Sequence, residues 1–175
     1  MKNIDFYFDV ISPYTYLAHK KIKNINSKLK INFTYKPILL GGLHKLADML
    51  IKEKKLDYIY LLCGPDKSHI AENIIKLSGK DYFINCSNKD LSGVILAINN
   101  SEFLVGNNSG PLNLAAALGV KSFGLIANDP ISELKYSKII PITPDDYQDN
   151  IWIRDREAMK RLDVQKVFET IIKNV

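Results

Sequence analysis

The feature that most constrains the fold is a rhythm in the hydrophobic pattern. From Tyr58 onward, apolar runs of strand length alternate with stretches of helical period, separated by short turns. Tyr58–Cys63, Tyr82–Asn85, Phe103–Gly106, Ser122–Ile126 and Ile139–Ile142 read as strands. Lys67–Leu77, Leu91–Ile98 and Pro111–Leu118 read as the helices between them, the first with Ile70, Ile74, Ile75 and Leu77 on one side. Leu43–Leu56 reads as a helix ahead of this series. Val164–Ile172 closes it, with Val164, Val167, Phe168, Ile171 and Ile172 inward. Such alternation predicts an α/β fold with a Rossmann-like parallel sheet and helices on both faces.

The first quarter has its own pattern. Ile4–Val10 is an aromatic-rich strand, Ser12-Pro13 opens a helix running to about Lys28, and Ile31–Leu39 is a second strand before a Gly41-Gly42 turn. This predicts a β-α-β fragment. Its charge differs too. Residues 1–46 hold eight lysines and two aspartates, whereas the remaining residues hold 16 basic and 17 acidic side chains. The whole +5 excess therefore originates in the first quarter. Its lysines are dispersed, without arginine, and read as a solvated helix face rather than a nucleic-acid surface.

Composition excludes several classes. At 175 residues and 46% hydrophobic, the chain can bury a core, and no apolar run is long enough to cross a bilayer. Asp5 and Asp9 interrupt the N-terminal apolar stretch, so no signal peptide is expected. Cys63 and Cys86 lie far apart without a CxxC, which fits a reducing cytoplasm. His19, His44 and His69 have no metal-ligand spacing, and no metal is expected.

The stretch FLVGNNSGPLNLAAALGV, residues 103–120, joins a strand to a helix through small and polar residues. Ligands of open parallel sheets bind beyond the carboxyl ends of the strands. Gly106 and Gly110 remove side chains where backbone turns or approaches a ligand, and Pro111 suits a first helical turn. The amides of residues 112–114 would then face an anion, phosphate above all, with the Ser109 hydroxyl as a further donor. Equally, the stretch can be a plain helix start capped by Asn108 or Ser109.

The wording of this stretch goes further. Gly106 to Gly119, GNNSGPLNLAAALG, resembles the signature of glycosyltransferase family 9, the ADP-heptose:lipopolysaccharide heptosyltransferases, close to G-N-D-S-G-P-x-H-L-A-A-A-L-G. KLADMLIKEKKLDYIYLLCGPDK, NKDLSGVILAINNSEFLVGNNSG and AMKRLDVQKVFETI are similar, in order, to other segments of that family. The resemblance covers about residues 45–175 and implies the nucleotide-sugar-binding half of a GT-B fold. It implies that Asn108, Ser109, Gly110, Pro111, Leu112 and Asn113 hold the donor diphosphate, and that Gly64, Pro65 and Asp66 lie near the nucleotide. The donor would be a nucleotide-sugar such as ADP-heptose, used as substrate, and no cofactor is implied. The family's catalytic base belongs to an acceptor domain outside this resemblance, so a separate chain would supply that half. Where the family has an Asp and a His, this chain has Asn108 and Asn113. Neutral donors bind phosphate about half as strongly as charged ones, so weakened donor affinity is expected. Asp66 and Asp129 lie on loops, and nothing in the sequence singles out either as a base.

Residues 1–44 resemble another family. IDFYFDVISPYTYLA followed by INFTYKPILLGGL is similar to the start of 2-hydroxychromene-2-carboxylate isomerases and kappa-class glutathione transferases, which have a thioredoxin-like fold. There, Ser12 would match the serine that stabilises the glutathione thiolate. The plainer reading makes Ser12 a helix cap with Tyr14 and Tyr16 packed inward. No downstream loop carries a proline suited to completing a glutathione site: Pro111 opens a helix, and Pro130, Pro141 and Pro144 fall in the irregular tail. The two resemblances meet between Gly41 and Lys45. Ile31–Leu39 is expected to replace the missing first strand of the donor-binding sheet and merge the two parts. Three readings follow: a glycosyltransferase-like donor-binding domain, a glutathione-dependent isomerase at Ser12, or a non-catalytic fused remnant.

Overall fold

The computed structural model describes residues 2–8, 31–37, 40–134, 136, 138–149 and 158–175. The chain divides into two units, Met1–Leu40 and Gly41–Val175. In the first, strands β1 (Lys2–Phe8) and β2 (Ile31–Pro37) pair in parallel, Lys2 opposite Ile31 through Phe8 opposite Pro37. One edge of β2 is thus taken by β1. The expected helix from Ser12 to Lys28, and Ser12 itself, lie outside the described residues.

All but the first residue of α1 (Leu40–Lys54) belongs to the second unit, where it is followed by β3 (Ile59–Leu61), α2 (Ser68–Ser78), β4 (Phe83–Asn85), α3 (Leu91–Asn99) and β5 (Phe103–Asn107). Then come α4 (Gly110–Ala117), β6 (Lys121–Leu125), β7 (Ile139–Ile142) and α5 (Val164–Asn174). Every described strand pair is parallel: β3 with β4, and β5–β6–β7 as a three-stranded sheet with β6 central. The α/β fold with parallel sheets flanked by helices is the one the hydrophobic rhythm predicts.

The three-stranded sheet has two different faces because successive strand residues point to opposite sides. On one face Phe103, Val105, Phe123, Leu125, Ile140 and Ile142 pack with Leu46 and Leu50 of α1 and Val167 and Ile171 of α5. Phe103 and Phe123 meet edge to face, ring centres 5.8 Å apart, an arrangement aromatic pairs prefer. On the other face Leu104 and Ile139 pack with Leu112 and Ala116 of α4. The inward side of α5 is as read from its periodicity.

Two readings need correction. Gly41 and Gly42 do not form a turn; they lie in the first turn of α1. The physical reason is packing: a Cβ on Gly42 would come within 3.1 Å of Val164 Cγ2. The bare backbone lets α5 approach, at a helix-propensity cost of about 1 kcal/mol. Leu77 does not join Ile70 and Ile74 in the core. It is 69% exposed, in the last turn before the left-handed Gly79. The stretch after Asn128 holds, besides the strand expected at Ile139–Ile142 (β7), a 3-10 turn at Ile131–Glu133 that was not expected.

Candidate functional site

Parallel register gathers the candidate residues. Asn107, Leu125 and Ile142 end β5, β6 and β7 in adjacent rungs of the ladder, Asn107 opposite Leu125 and Leu125 opposite Ile142. The segments that follow therefore leave the sheet from one edge. They carry Asn108 and Ser109, then Asn128 and Asp129, then Tyr147.

Ser109 is the N-cap residue of α4, with extended backbone (φ −154°, ψ 171°), and its side chain makes no capping hydrogen bond. Its carbonyl instead accepts twice from Asn113, from the backbone N–H at 3.1 Å and from Nδ2 at 3.0 Å. This corrects the expected set of free amides. Asn113 N–H is inside the helical ladder, and residues beyond it follow. Pro111 has no N–H, so the amides outside the ladder at this helix start are those of Ser109, Gly110 and Leu112. One Asn113 Nδ2 hydrogen is also engaged locally, leaving one for a ligand.

Gly110 is exposed, and a Cβ placed there would meet nothing within 4 Å. The left-handed glycines of the described residues are Gly79 and Gly119, so neither Gly106 nor Gly110 is required by a special φ. Leu112, by contrast, is fully buried and anchors the helix start to the sheet.

Asn108 reaches sideways: its Nδ2 donates to Asp129 Oδ2 at 3.1 Å. Asp129 belongs to the loop after β6, and that loop is tied down again. The Tyr147 hydroxyl donates to the Asp129 carbonyl at 2.8 Å and accepts from Ile131 N–H at 3.0 Å. Asp149 Oδ1 also accepts from Ile131 N–H, at 2.9 Å. Burial, with Asp149 alongside, pushes the Tyr147 phenol up, so it is a neutral donor at physiological pH. Asn128 Oδ1 is buried here without a protein hydrogen-bond partner.

Gly64, Pro65 and Asp66 sit at the carboxyl end of a different strand, β3. Gly64 precedes a 3-10 turn over Pro65–Lys67, closed by Lys67 N–H to Gly64 O at 2.8 Å. Asp66 is exposed and 3.4 Å from Lys67 Nζ. Cys63 Sγ donates to the Lys67 carbonyl at 3.7 Å, and burial pushes this thiol up. Both Cys63 and Cys86 are free thiols. Among the described residues, no group of three or more His, Cys, Asp or Glu side chains could hold a metal ion.

Sequence reasoning missed Tyr147 and Asp149 and left Asp129 without a role. The rule that drew attention to the loop after β5 applies equally to the loop after β6, whose Asn-Asp-Pro could have been found that way. Tyr147 could not, because its partner is a backbone carbonyl with no sequence signal.

Parallel strands feeding loops to one edge, with a helix start among them, define an open α/β domain of the kind that holds its ligand beyond the carboxyl ends of its strands. The family model for glycosyltransferase family 9 (heptosyltransferase) matches residues 43–172, and the chain belongs to that family. The model for a DSBA-like thioredoxin domain matches residues 3–82 and so overlaps the first match over 43–82. Glutathione S-transferase kappa 1 from Caenorhabditis elegans is 41% identical over 46 residues, 26% of this chain. The chain covers about a fifth of that relative's length (20%). No solved structure matches the chain. Both resemblances read from the sequence are thus present in one chain. No described helix is long and apolar enough to cross a membrane.

Proposed function

We propose that residues 41–175 bind a nucleotide-sugar, such as ADP-heptose, through its diphosphate at the start of α4. The single observation that carries this is the uncapped helix start. Ser109 leaves its side chain and the amides of Gly110 and Leu112 uncommitted to the helix, beside a glycine with open space where a Cβ would be. Backbone N–H groups at a helix start attract phosphate through hydrogen bonding and through the helix dipole. Membership of glycosyltransferase family 9 supports a nucleotide-sugar as the source of that phosphate. Asn108 is committed to Asp129 and acts on the turn, while Ser109, Gly110, Leu112 and Asn113 offer donors. Gly64–Asp66 contributes the nucleotide side of the site. Sugar transfer then uses an acceptor-binding half and a general base from a separate chain, in the cytoplasm, where the free thiols Cys63 and Cys86 persist.

The test is a titration of ADP and an ADP-sugar into the full chain, followed by amide chemical shifts, with glutathione as control. Shifts at Ser109, Gly110 and Leu112 with ADP are expected; their absence in a well-dispersed spectrum would sink this reading. A second reading, glutathione binding at Ser12, is favoured by the thioredoxin-domain match and by the glutathione transferase relative. Perturbation by glutathione of residues near Ser12, without an ADP response, would put it first.

A further inference from the structure

We propose that Asp129, held by Tyr147, is a positioning residue that sets the Asn108–Gly110 turn for the diphosphate. This rests on the donor-binding reading above.

The turn does not orient itself. A capping serine ordinarily bonds its own helix amides and so fixes the entry of the chain; Ser109 does not. From inside the helix, Asn113 holds the Ser109 carbonyl. From outside, Asn108 Nδ2 is held by Asp129 Oδ2 at 3.1 Å. Asp129 is thus the external fixture of the segment whose amides would meet the ligand.

Asp129 is poorly suited to contact the diphosphate itself. A carboxylate beside phosphate oxygens is repelled, whereas an acceptor facing the Asn108 amide is satisfied. Its position is fixed in turn through its backbone. The Tyr147 hydroxyl spans the loop, with its one proton aimed between Asp129 O at 2.8 Å, the nearer acceptor, and Asp149 Oδ1 at 3.1 Å, and it accepts from Ile131 N–H two residues on. The result is a clasp running from the segment after β7, through the loop after β6, to the turn after β5. All three leave the sheet at the same edge, so a short chain of hydrogen bonds suffices to fix them together.

The experiment uses the full chain and three variants: Asp129→Ala, Asp129→Asn and Tyr147→Phe. In the ligand-free proteins, the amide resonances of Ser109, Gly110 and Leu112 should move in Asp129→Ala and Tyr147→Phe. ADP should bind these two variants about three- to tenfold more weakly than wild type, the effect of one net hydrogen bond. Asp129→Asn keeps an acceptor oxygen for Asn108 and should bind ADP like wild type. A merely structural role would lower Tm in the alanine variant without moving the three resonances. Asn108→Ala combined with Asp129→Ala should be no worse than either alone, because both break one link.

If wild type binds ADP and both Asp129→Ala and Tyr147→Phe bind it equally well with unmoved resonances, the positioning role is overturned and the donor site stands. If wild type does not bind ADP, the donor reading fails, and the assignment of Asp129 to diphosphate positioning fails with it. The ligand-free resonances then separate the two failures, since they report the clasp alone.

Discussion

Leu112 Cδ2 lies 3.2 Å from where a Cβ on Gly124 would stand, and Ile139 Cγ2 lies 3.1 Å from the same point. The central strand is therefore bare where Leu112 of α4 meets the sheet. Gly124→Ala should overpack this contact and destabilise the protein by about 1–3 kcal/mol, read as a lower denaturant midpoint. Leu112→Ala should cost about 2–5 kcal/mol by opening a cavity. Combined, the two should cost clearly less than their sum, because the alanine methyl at 124 enters space that Leu112 vacates. Strict additivity would show that the contact does not govern the packing of α4.

Gly110 behaves oppositely, because nothing protein-derived lies within 4 Å of a Cβ there. Gly110→Ala should leave stability within about 1 kcal/mol of wild type, or raise it slightly by restricting the unfolded chain. The methyl would stand where phosphate oxygens approach the Gly110 and Leu112 amides. ADP affinity should accordingly fall by at least about tenfold, or about 1.4 kcal/mol. Unchanged affinity would mean that the ligand does not approach this turn.

The contrast between these two glycines shows what the sequence could reveal. The element order was legible because Phe103, Val105, Phe123 and Leu125 repeat with the period of a strand, and Val167 and Ile171 with that of a helix. The loop after β5 was legible as a site because glycine, serine and proline cluster there. Gly42 was misread because glycine marks turns and close approaches alike, and the neighbour that needs the room, Val164, lies far along the chain. The free amides were placed too late in α4 because which residue caps the helix depends on backbone geometry at Ser109. The Asn108–Asp129 bond joins residues 21 positions apart, and no local pattern announces it.

That bond gives Asn108 a reason to be uncharged. The family signature it resembles has an aspartate at this position, but here Asp129 Oδ2 stands 3.1 Å from the side-chain nitrogen. Asn108→Asp would set two carboxylates face to face and raise the pKa of one of them in the folded state. A raised folded-state pKa costs stability above that pKa and nothing below the unfolded value near 3.9. The variant should therefore be about 1–2 kcal/mol less stable than wild type at pH 7. The deficit should shrink as pH falls towards about 4. A deficit independent of pH would mean that the two side chains separate rather than share a proton.

A second titration tests the packing around β4, away from the candidate site. The Tyr82 hydroxyl donates to Asp48 Oδ1 at 2.7 Å, and burial together with this bond pushes the phenol up to about 12. The same bond, with Lys80 alongside, holds Asp48 below the usual carboxylate range despite its exposure. The signs follow by linkage. Tyr82 folds more favourably as the neutral phenol, so its contribution is complete below about pH 10 and is lost as pH rises towards 12. The contribution of Asp48 is present above its unfolded value and is lost as pH falls through its lower folded one. An ultraviolet phenolate titration of wild type minus Tyr82→Phe should isolate one late-titrating tyrosine. Asp48→Asn should bring its midpoint down, yet leave it above about 10, because burial, the larger cause, is untouched. A midpoint already at the ordinary tyrosine value in wild type would show that Tyr82 is solvated and that its bond to Asp48 is not made in solution.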